Sequence, residues 1–393
     1  MRPTVAISAA RIFDGTCWHE GSGLLLDRER VVGIVKVADI PRDIDRVDYD
    51  GYQLVPGFID LQVNGGGGVR FGEETSVKAI RQITSAHARF GTTKLLPTLI
   101  TDTPEVTALA FEAGRRSRAA KVPGFLGLHL EGPHLSLERK GAHNPSYIRP
   151  MTEGDLEAIC AYRRDAGLVL TTVAPENVTT DQVSVLVAAG VVVSIGHSNA
   201  TAQAARSYFD AGASMVTHLF NAMSPLGNRE PGIVGAALDD GRVFAGLIVD
   251  GVHVDPATIK VALRSKTTPG DIFIVTDAMQ TIGTELLGFE LNGRAIHRKD
   301  GTLKLADGTL AGADIDMLSS VKFAHQTLGL PLARVLAMAS SVPARAVGLD
   351  GRHGYLRPGY ASDFVVLSEQ LECIHTWIDG REASSLETVR LDH

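Results

Sequence analysis

Short apolar, β-branched runs recur along the chain, each followed by a polar or glycine-rich stretch and then by a segment with helical spacing. They lie at 57–63 (GFIDLQV), 92–100 (TTKLLPTLI), 125–130 (FLGLHL), 168–174 (LVLTTVA), 191–196 (VVVSIG), 215–220 (MVTHLF), 243–249 (VFAGLIV) and 272–276 (IFIVT). The runs are continuously apolar rather than alternating, as expected of parallel strands covered on both faces. Between them, 76–90 sets Val77, Ile80, Ile83 and Phe90 on one helical face, and 201–213 follows a candidate cap at Ser198 or Asn199. Eight such runs alternating with helices predict an α/β fold, a (β/α)8 TIM-like barrel. An open doubly wound sheet loses its main support, because no GxGxxG follows the first run.

The chain ends read differently. Residues 4–54 hold short strand-like runs (VAISAARIF, GLLLDRE, RVVGIV) broken by Gly and Asp, and 350–386 repeat the style (GYLRPGYASDFVVLSEQ, CIHTWIDGRE). Neither end can bury a core alone. The expectation is one small β-sandwich domain from 1–54 and 350–393, with the barrel, 55–349, inserted between. Helical material at 315–328 and 331–348 would close the barrel before the chain returns.

With 44% hydrophobic and 21% charged residues, the 393-residue chain has the balance of a soluble globular protein. Its net charge of -7 and lack of a basic run exclude an electrostatic footprint for nucleic acid or an anionic membrane. An anionic substrate would need a few local cationic groups. Cys17, Cys160 and Cys373 are widely spaced, odd in number and without CxxC spacing, which argues against a disulfide framework or zinc ribbon. The N-terminal segment lacks the apolar core of a signal peptide, and no apolar run approaches the ~20 residues that span a bilayer. A cytoplasmic location is expected.

Residues able to bind metal or move protons gather where the apolar runs end, and in a parallel barrel those ends open onto one face. Asp60, Gln62 and Asn64 close the first run, and His129, Glu131 and His134 the third. His197 follows the fifth, His218 the sixth, Asp250 and His253 the seventh, and Asp277 the eighth. Glu131, His197 and His218 supply three ligands and leave a position for water, the pattern of a catalytic zinc site. Asp277 is the candidate base for that water and then the acid for the leaving amine.

The segments PGFIDLQVNGGGG (56–68), LHLEGPHL (128–135), KGAHNP (140–145), SIGHSNA (194–200), VTHLFNAM (216–223), REPGIVGAAL (229–238), DGVHV (250–254) and VTDAM (275–279) resemble, in order, those of the N-acetylglucosamine-6-phosphate deacetylases. The later SSVPARAVGL and GYLRPGYASDFVVL are similar to the closing segment of the wider amidohydrolase superfamily. The resemblance implies an amidohydrolase-type barrel that hydrolyses the acetamide of N-acetyl-D-glucosamine 6-phosphate. It makes Glu131, His197 and His218 the ligands, Asp277 the acid/base, and His143 the group that polarises the carbonyl. Ala142, Asn221 and Ala222 match positions lining the sugar. Asp250, Gly251, Val252, His253 and Arg229 match the sugar-phosphate contacts, with Arg229 contributed across a homodimer interface. Leu310, Ala311 and Gly312 match a loop that covers the substrate. Many amidohydrolases carry His-x-His after the first strand; this chain has Gln62-x-Asn64. Amides are poor ligands, so one divalent metal per subunit is expected, Zn2+ first, with Fe2+, Mn2+ or Co2+ accepting the same set.

Plainer readings stand beside these. His19, His87, His297, His325, His353, His375 and His393 read as ordinary satisfied side chains, and His129 and His134, with Gln62 and Asn64, as neighbours of the ligands. The run Gly65–Gly68 lacks the Lys-Ser/Thr ending of a P-loop and reads as a tight turn. Glu176 reads as structural. Rival functions are a barrel enzyme acting on a different N-acetylated sugar phosphate or a cyclic amide, or an inactive scaffold; the joint presence of Glu131, His197, His218 and Asp277 counts against the last.

Overall fold

The computed structural model describes residues 2–386; His393 lies outside the described residues. Eight strands, Phe58–Val63, Thr92–Ile100, Gly127–Glu131, Leu168–Val173, Val192–Ile195, Met215–Val216, Phe244–Ile248 and Ile272–Val275, pair in parallel and in chain order. The ring closes between the eighth and first. Asp277 N–H donates to the Gln62 carbonyl at 3.0 Å, Asn64 N–H to Ala278 at 2.9 Å, and Val63 bridges Ala278. The expected (β/α)8 barrel is the observed fold. Its strands are apolar throughout because both faces are covered. In the last strand Phe273 and Val275 join a cluster with Leu61, Leu170 and Met215, whereas Ile272 and Ile274 join the larger cluster shared with the surrounding helices. Fully burying each such side chain contributes about 1.5–3 kcal/mol.

The helices follow their apolar stripes and caps. Val77–Ala88 buries Ile80 and Ile83, and Ser76 Oγ accepts from Ala79 N–H at 3.0 Å. Ala202–Asp210 is capped by Thr201 rather than by Ser198 or Asn199. Those two residues instead bind Glu176: Ser198 Oγ donates to one carboxylate oxygen at 2.7 Å and Asn199 N–H to the other at 2.8 Å. Glu176 thus holds the turn after His197, a structural role as expected. The expected closing helices are Met317–Lys322, prolonged by a π-turn through Thr327, and the pair Leu332–Ala339 and Ser341–Ala346. One element was not predicted: an antiparallel meander, Gly288–Leu291, Arg294–Lys299 and Thr302–Lys304, between the eighth strand and these helices.

Both chain ends enter one seven-stranded sheet in the order 381–382, 373–378, 364–367, 45–56, 5–13, 18–27, 30–36. Its edge strand Arg30–Lys36 is tied back to the segment before Phe364–Leu367, through Val31 N–H to the Tyr360 carbonyl and an Arg30–Ala361 bridge. The sheet so folds over its own core of Ile7, Leu24, Leu54 and Phe364. A buried cation joins it to the barrel: Lys94 Nζ, on the second barrel strand, lies 3.2 Å from Asp363 and 3.0 Å from Asp379. Burial works to raise the Asp363 carboxyl, but Lys94 and His353 outweigh it and bring it down to about 2. The ion pair therefore stabilises the fold above the ordinary aspartate range and is lost as pH falls through about 2. Lys94→Met, which leaves buried carboxylates without their cation, is expected to lower unfolding free energy by about 3–5 kcal/mol in a denaturant titration. Among the described residues no helix is long and apolar enough to cross a membrane.

Candidate active site

At the C-terminal mouth of the barrel lies a cavity of about 410 Å³ lined by Asn64, Glu131, His143, His197, His218 and Asp277, among others. The turns that aim these side chains are strained. His197, His218 and Asp277 have φ of +48°, +27° and +53°, with Phe220 and Ala222 at +78° and +50°. Side chains with a Cβ rarely adopt this left-handed region, and its use at strand ends marks a functional constraint.

Glu131 ends the third strand and puts Oε1 3.3 Å from His197 Nε2 and 3.1 Å from His218 Nε2; the two nitrogens are 3.0 Å apart. Ligand atoms about 2.0–2.2 Å from a tetrahedral zinc stand about 3.3 Å from one another, so this trio has the spacing of a metal's coordination edge. His197 Nδ1 donates to the Arg139 carbonyl at 2.8 Å, leaving the Nε2 lone pair directed at the trio. Burial works to raise Glu131, yet the two imidazoles hold it well below the usual carboxylate range, and Glu131 in turn pushes His218 up against burial. The pocket favours positive charge between these groups, and the residues present fit a divalent cation.

His143 comes close enough to Glu131 and His197 for ligand atoms of all three to lie within 4.8 Å of one another. Its hydrogen bonds set it apart from the candidate ligands. Nδ1 accepts from Thr101 N–H at 3.3 Å and bonds Thr101 Oγ1 at 2.8 Å, so the proton sits on Nε2, which points toward Glu131 at 3.9 Å. Burial, reinforced by His197, pushes His143 down to about 3 and keeps it a neutral donor.

Gln62 and Asn64 act as donors. Gln62 Nε2 reaches Glu131 Oε1 at 2.9 Å and Asp277 Oδ1 at 3.2 Å, and Asn64 Nδ2 reaches Asp277 Oδ1 at 2.7 Å. The pair ties the candidate ligand carboxylate to the candidate base. Burial, then the charge of Glu131, push Asp277 up to about 6. Beneath this group, buried His129 hydrogen-bonds Thr172 at 2.7 Å and Thr98 at 3.3 Å. His134 is a correction: its Nδ1 bonds the Arg149 carbonyl at 3.1 Å and Nε2 faces Asp155 at 3.9 Å, away from the cavity. The glycine run is a turn, its amides spent on backbone, with Gly67 and Gly68 N–H donating to Ile282 and Gln280 carbonyls.

Ala142, Asn221, Ala222, His253, Leu310, Ala311 and Gly312 all line the cavity. Asp250 positions His253: one oxygen accepts the Val252 and His253 amides, and the other lies 2.6 Å from His253 Nδ1. Gly251 and Val252 complete that turn outside the cavity, and Val252 is 44% exposed. Gly312, at φ +70°, packs where a Cβ would stand 2.5 Å from Met279. Arg229 is exposed and off the cavity of its own chain.

The sequence reading missed several lining residues. Ile100 ends the second apolar run and Met279 stands just beyond the eighth, where strand-end position could have flagged them; Leu291 belongs to the unpredicted meander. Asn292 and Arg294, at its first turn, donate to the Ala142 carbonyl at 3.3 and 2.7 Å and so hold the loop that carries His143.

The amidohydrolase family model matches residues 53–383. The chain is 40% identical to an N-acetylgalactosamine-6-phosphate deacetylase of Shewanella sp. (strain ANA-3), over 86% of this chain and 84% of that one. It is 38% identical to an N-acetylglucosamine-6-phosphate deacetylase of Haemophilus influenzae, over 91% and 93%. The crystal structure of N-acetylglucosamine-6-phosphate deacetylase from Pasteurella multocida superposes with a TM-score of 0.92 at 36% identity, covering 96% and 99% of the two chains. The chain therefore belongs to the amidohydrolase family, on the branch of the amino-sugar-phosphate deacetylases.

Proposed function

We propose that this enzyme hydrolyses the acetamide of N-acetylglucosamine 6-phosphate to glucosamine 6-phosphate and acetate. The observation that carries the reading is the grouping of Glu131, His197 and His218 beside Asp277 and a donating His143 in one cavity. A divalent cation held by the first three, Zn2+ in this proposal, supplies Lewis acidity that lowers a water's pKa toward neutrality. Asp277, oriented by Asn64 and Gln62, takes the proton of the attacking water and then returns it to the departing amine nitrogen. His143 Nε2–H donates to the acetamide oxygen as negative charge grows there. Ile100, Ile248, Met279 and Leu291 keep that space apolar and limit competing water.

His253 is the cavity-side partner for the sugar phosphate, and Arg229 reaches the same phosphate from the second subunit of a homodimer. The domain division at 54/55 and 349/350 and a cytoplasmic location, in keeping with free thiols at Cys17, Cys160 and Cys373, complete the proposal.

Acetate release from N-acetylglucosamine 6-phosphate by metal-loaded protein is the test, with the galactose epimer, the substrate named for one relative, and a cyclic amide as competitors. Release from neither sugar phosphate would reject the reading. The barrel centre is expected to retain about one equivalent of metal after dialysis, as a three-ligand site should, and Glu131→Ala to retain none there.

A further inference from the structure

The turn between the strands Val5–Phe13 and Trp18–Asp27 brings three unlike metal-binding side chains together, far in sequence from the barrel ligands. Asp14 Oδ2 lies 2.9 Å from His19 Nε2 and 3.4 Å from Cys17 Sγ, and Cys17 Sγ lies 3.8 Å from His19 Nε2. A tetrahedral zinc with one sulfur at about 2.3 Å and nitrogen and oxygen at about 2.0–2.2 Å separates those atoms by about 3.3–3.6 Å. Each observed edge is within about half an ångström of that value, so small side-chain rotations suffice.

The frame is built before any ion arrives. Asp14 Oδ1 accepts the amides of Thr16 at 2.7 Å and Cys17 at 2.9 Å, which directs Oδ2 to the other two groups. Phe13 packs on Trp18 with ring centroids 5.1 Å apart, and Leu356 N–H donates to the Asp14 carbonyl at 3.0 Å. Arg357 hydrogen-bonds Thr16 Oγ1 and stands over Tyr355, so the C-terminal segment buttresses the turn. Cys17 is exposed, which leaves an open approach. Without a cation the hydrogen bond to Asp14 and its charge push the Cys17 thiol up.

We propose that Asp14, Cys17 and His19 form a second cation site, for a borderline-to-soft divalent ion such as Zn2+ or Co2+, with solvent as the fourth ligand. A thiolate in the set disfavours Mg2+ and Ca2+. Binding forms a sulfur–metal bond and releases the thiol proton to solvent.

Cobalt separates this site from the catalytic one, because the barrel ligands include no sulfur. Metal-depleted full-length protein titrated with Co2+ is expected to develop a near-ultraviolet thiolate-to-cobalt charge-transfer band. Cys17→Ser abolishes it, and Cys160→Ser and Cys373→Ser keep it. His19→Ala weakens cobalt binding, read from the band, by at least the roughly 10–100-fold that loss of a metal's outer partner costs. Acetate release by the reloaded variants at the wild-type rate shows that each is folded. Absence of the band in wild type, its persistence in Cys17→Ser, or unchanged affinity in His19→Ala would overturn the site.

Discussion

Asp277→Asn is expected to lower turnover by on the order of 10²–10⁴-fold while the protein keeps its metal and its substrate affinity. The substitution preserves shape and removes the basic oxygen. The proposed ligands Glu131, His197 and His218 are untouched, and His197 keeps its bond to the Arg139 carbonyl. His143 and His253, the proposed substrate contacts, are held by Thr101 and Asp250, neither of which depends on Asp277. Single-turnover acetate release, metal analysis and substrate binding on the same preparation separate the possibilities. Loss of metal from the variant would make Asp277 a ligand, and an undiminished rate would remove it from the proton path.

Much of this site could be read from the chain because parallel barrel strands are apolar on both faces. A polar or ionisable residue at the end of such a run has few places to go except the open mouth, which is why Glu131, His197, His218 and Asp277 stood out. His134 misled because position alone does not orient a side chain. It follows Glu131 by only three residues, but the turn between them swings its ring to Arg149 and Asp155. The meander was missed for the opposite reason. Gly288–Leu291 and Arg294–Lys299 are half-exposed and rich in charge, so only Leu291 and Ile296 are buried to mark them as strands. Thr101 gave no signal as the anchor of His143, because the two meet only when the loop 140–145 folds back onto the second strand. Thr201 displaced the expected helix caps because Glu176, from another strand end, claims Ser198 and Asn199.

Arg229→Ala is expected to reduce the reaction of the 6-phosphate by about 2–5 kcal/mol, the cost of truncating one partner of a desolvated charge pair, with metal content unchanged. That corresponds to a loss on the order of 30- to several-thousand-fold in kcat/KM. Unphosphorylated N-acetylglucosamine, which never had the interaction, should be affected far less. The chemistry demands such a residue, since a phosphate dianion on an acidic protein needs a deliberately placed multi-donor cation. The structure makes its origin the question. Residues 225–230 are exposed, and Arg229 has no ion-pair partner among the described residues. Its loop is nonetheless firmly held, with Glu230 accepting the Ala202 and Gly232 amides at 2.7 and 3.1 Å and Gly227 N–H donating to the Glu230 carbonyl at 3.0 Å. A fixed loop presenting a guanidinium outward suits delivery to a neighbouring barrel better than to its own. Mixing Arg229→Ala with Asp277→Asn protein, under conditions where subunits exchange, should then restore activity. One site of each mixed dimer would join an intact Asp277 to an intact Arg229 from across the interface. If exchange is demonstrated and no activity returns, the arginine serves its own chain and the shared site is wrong.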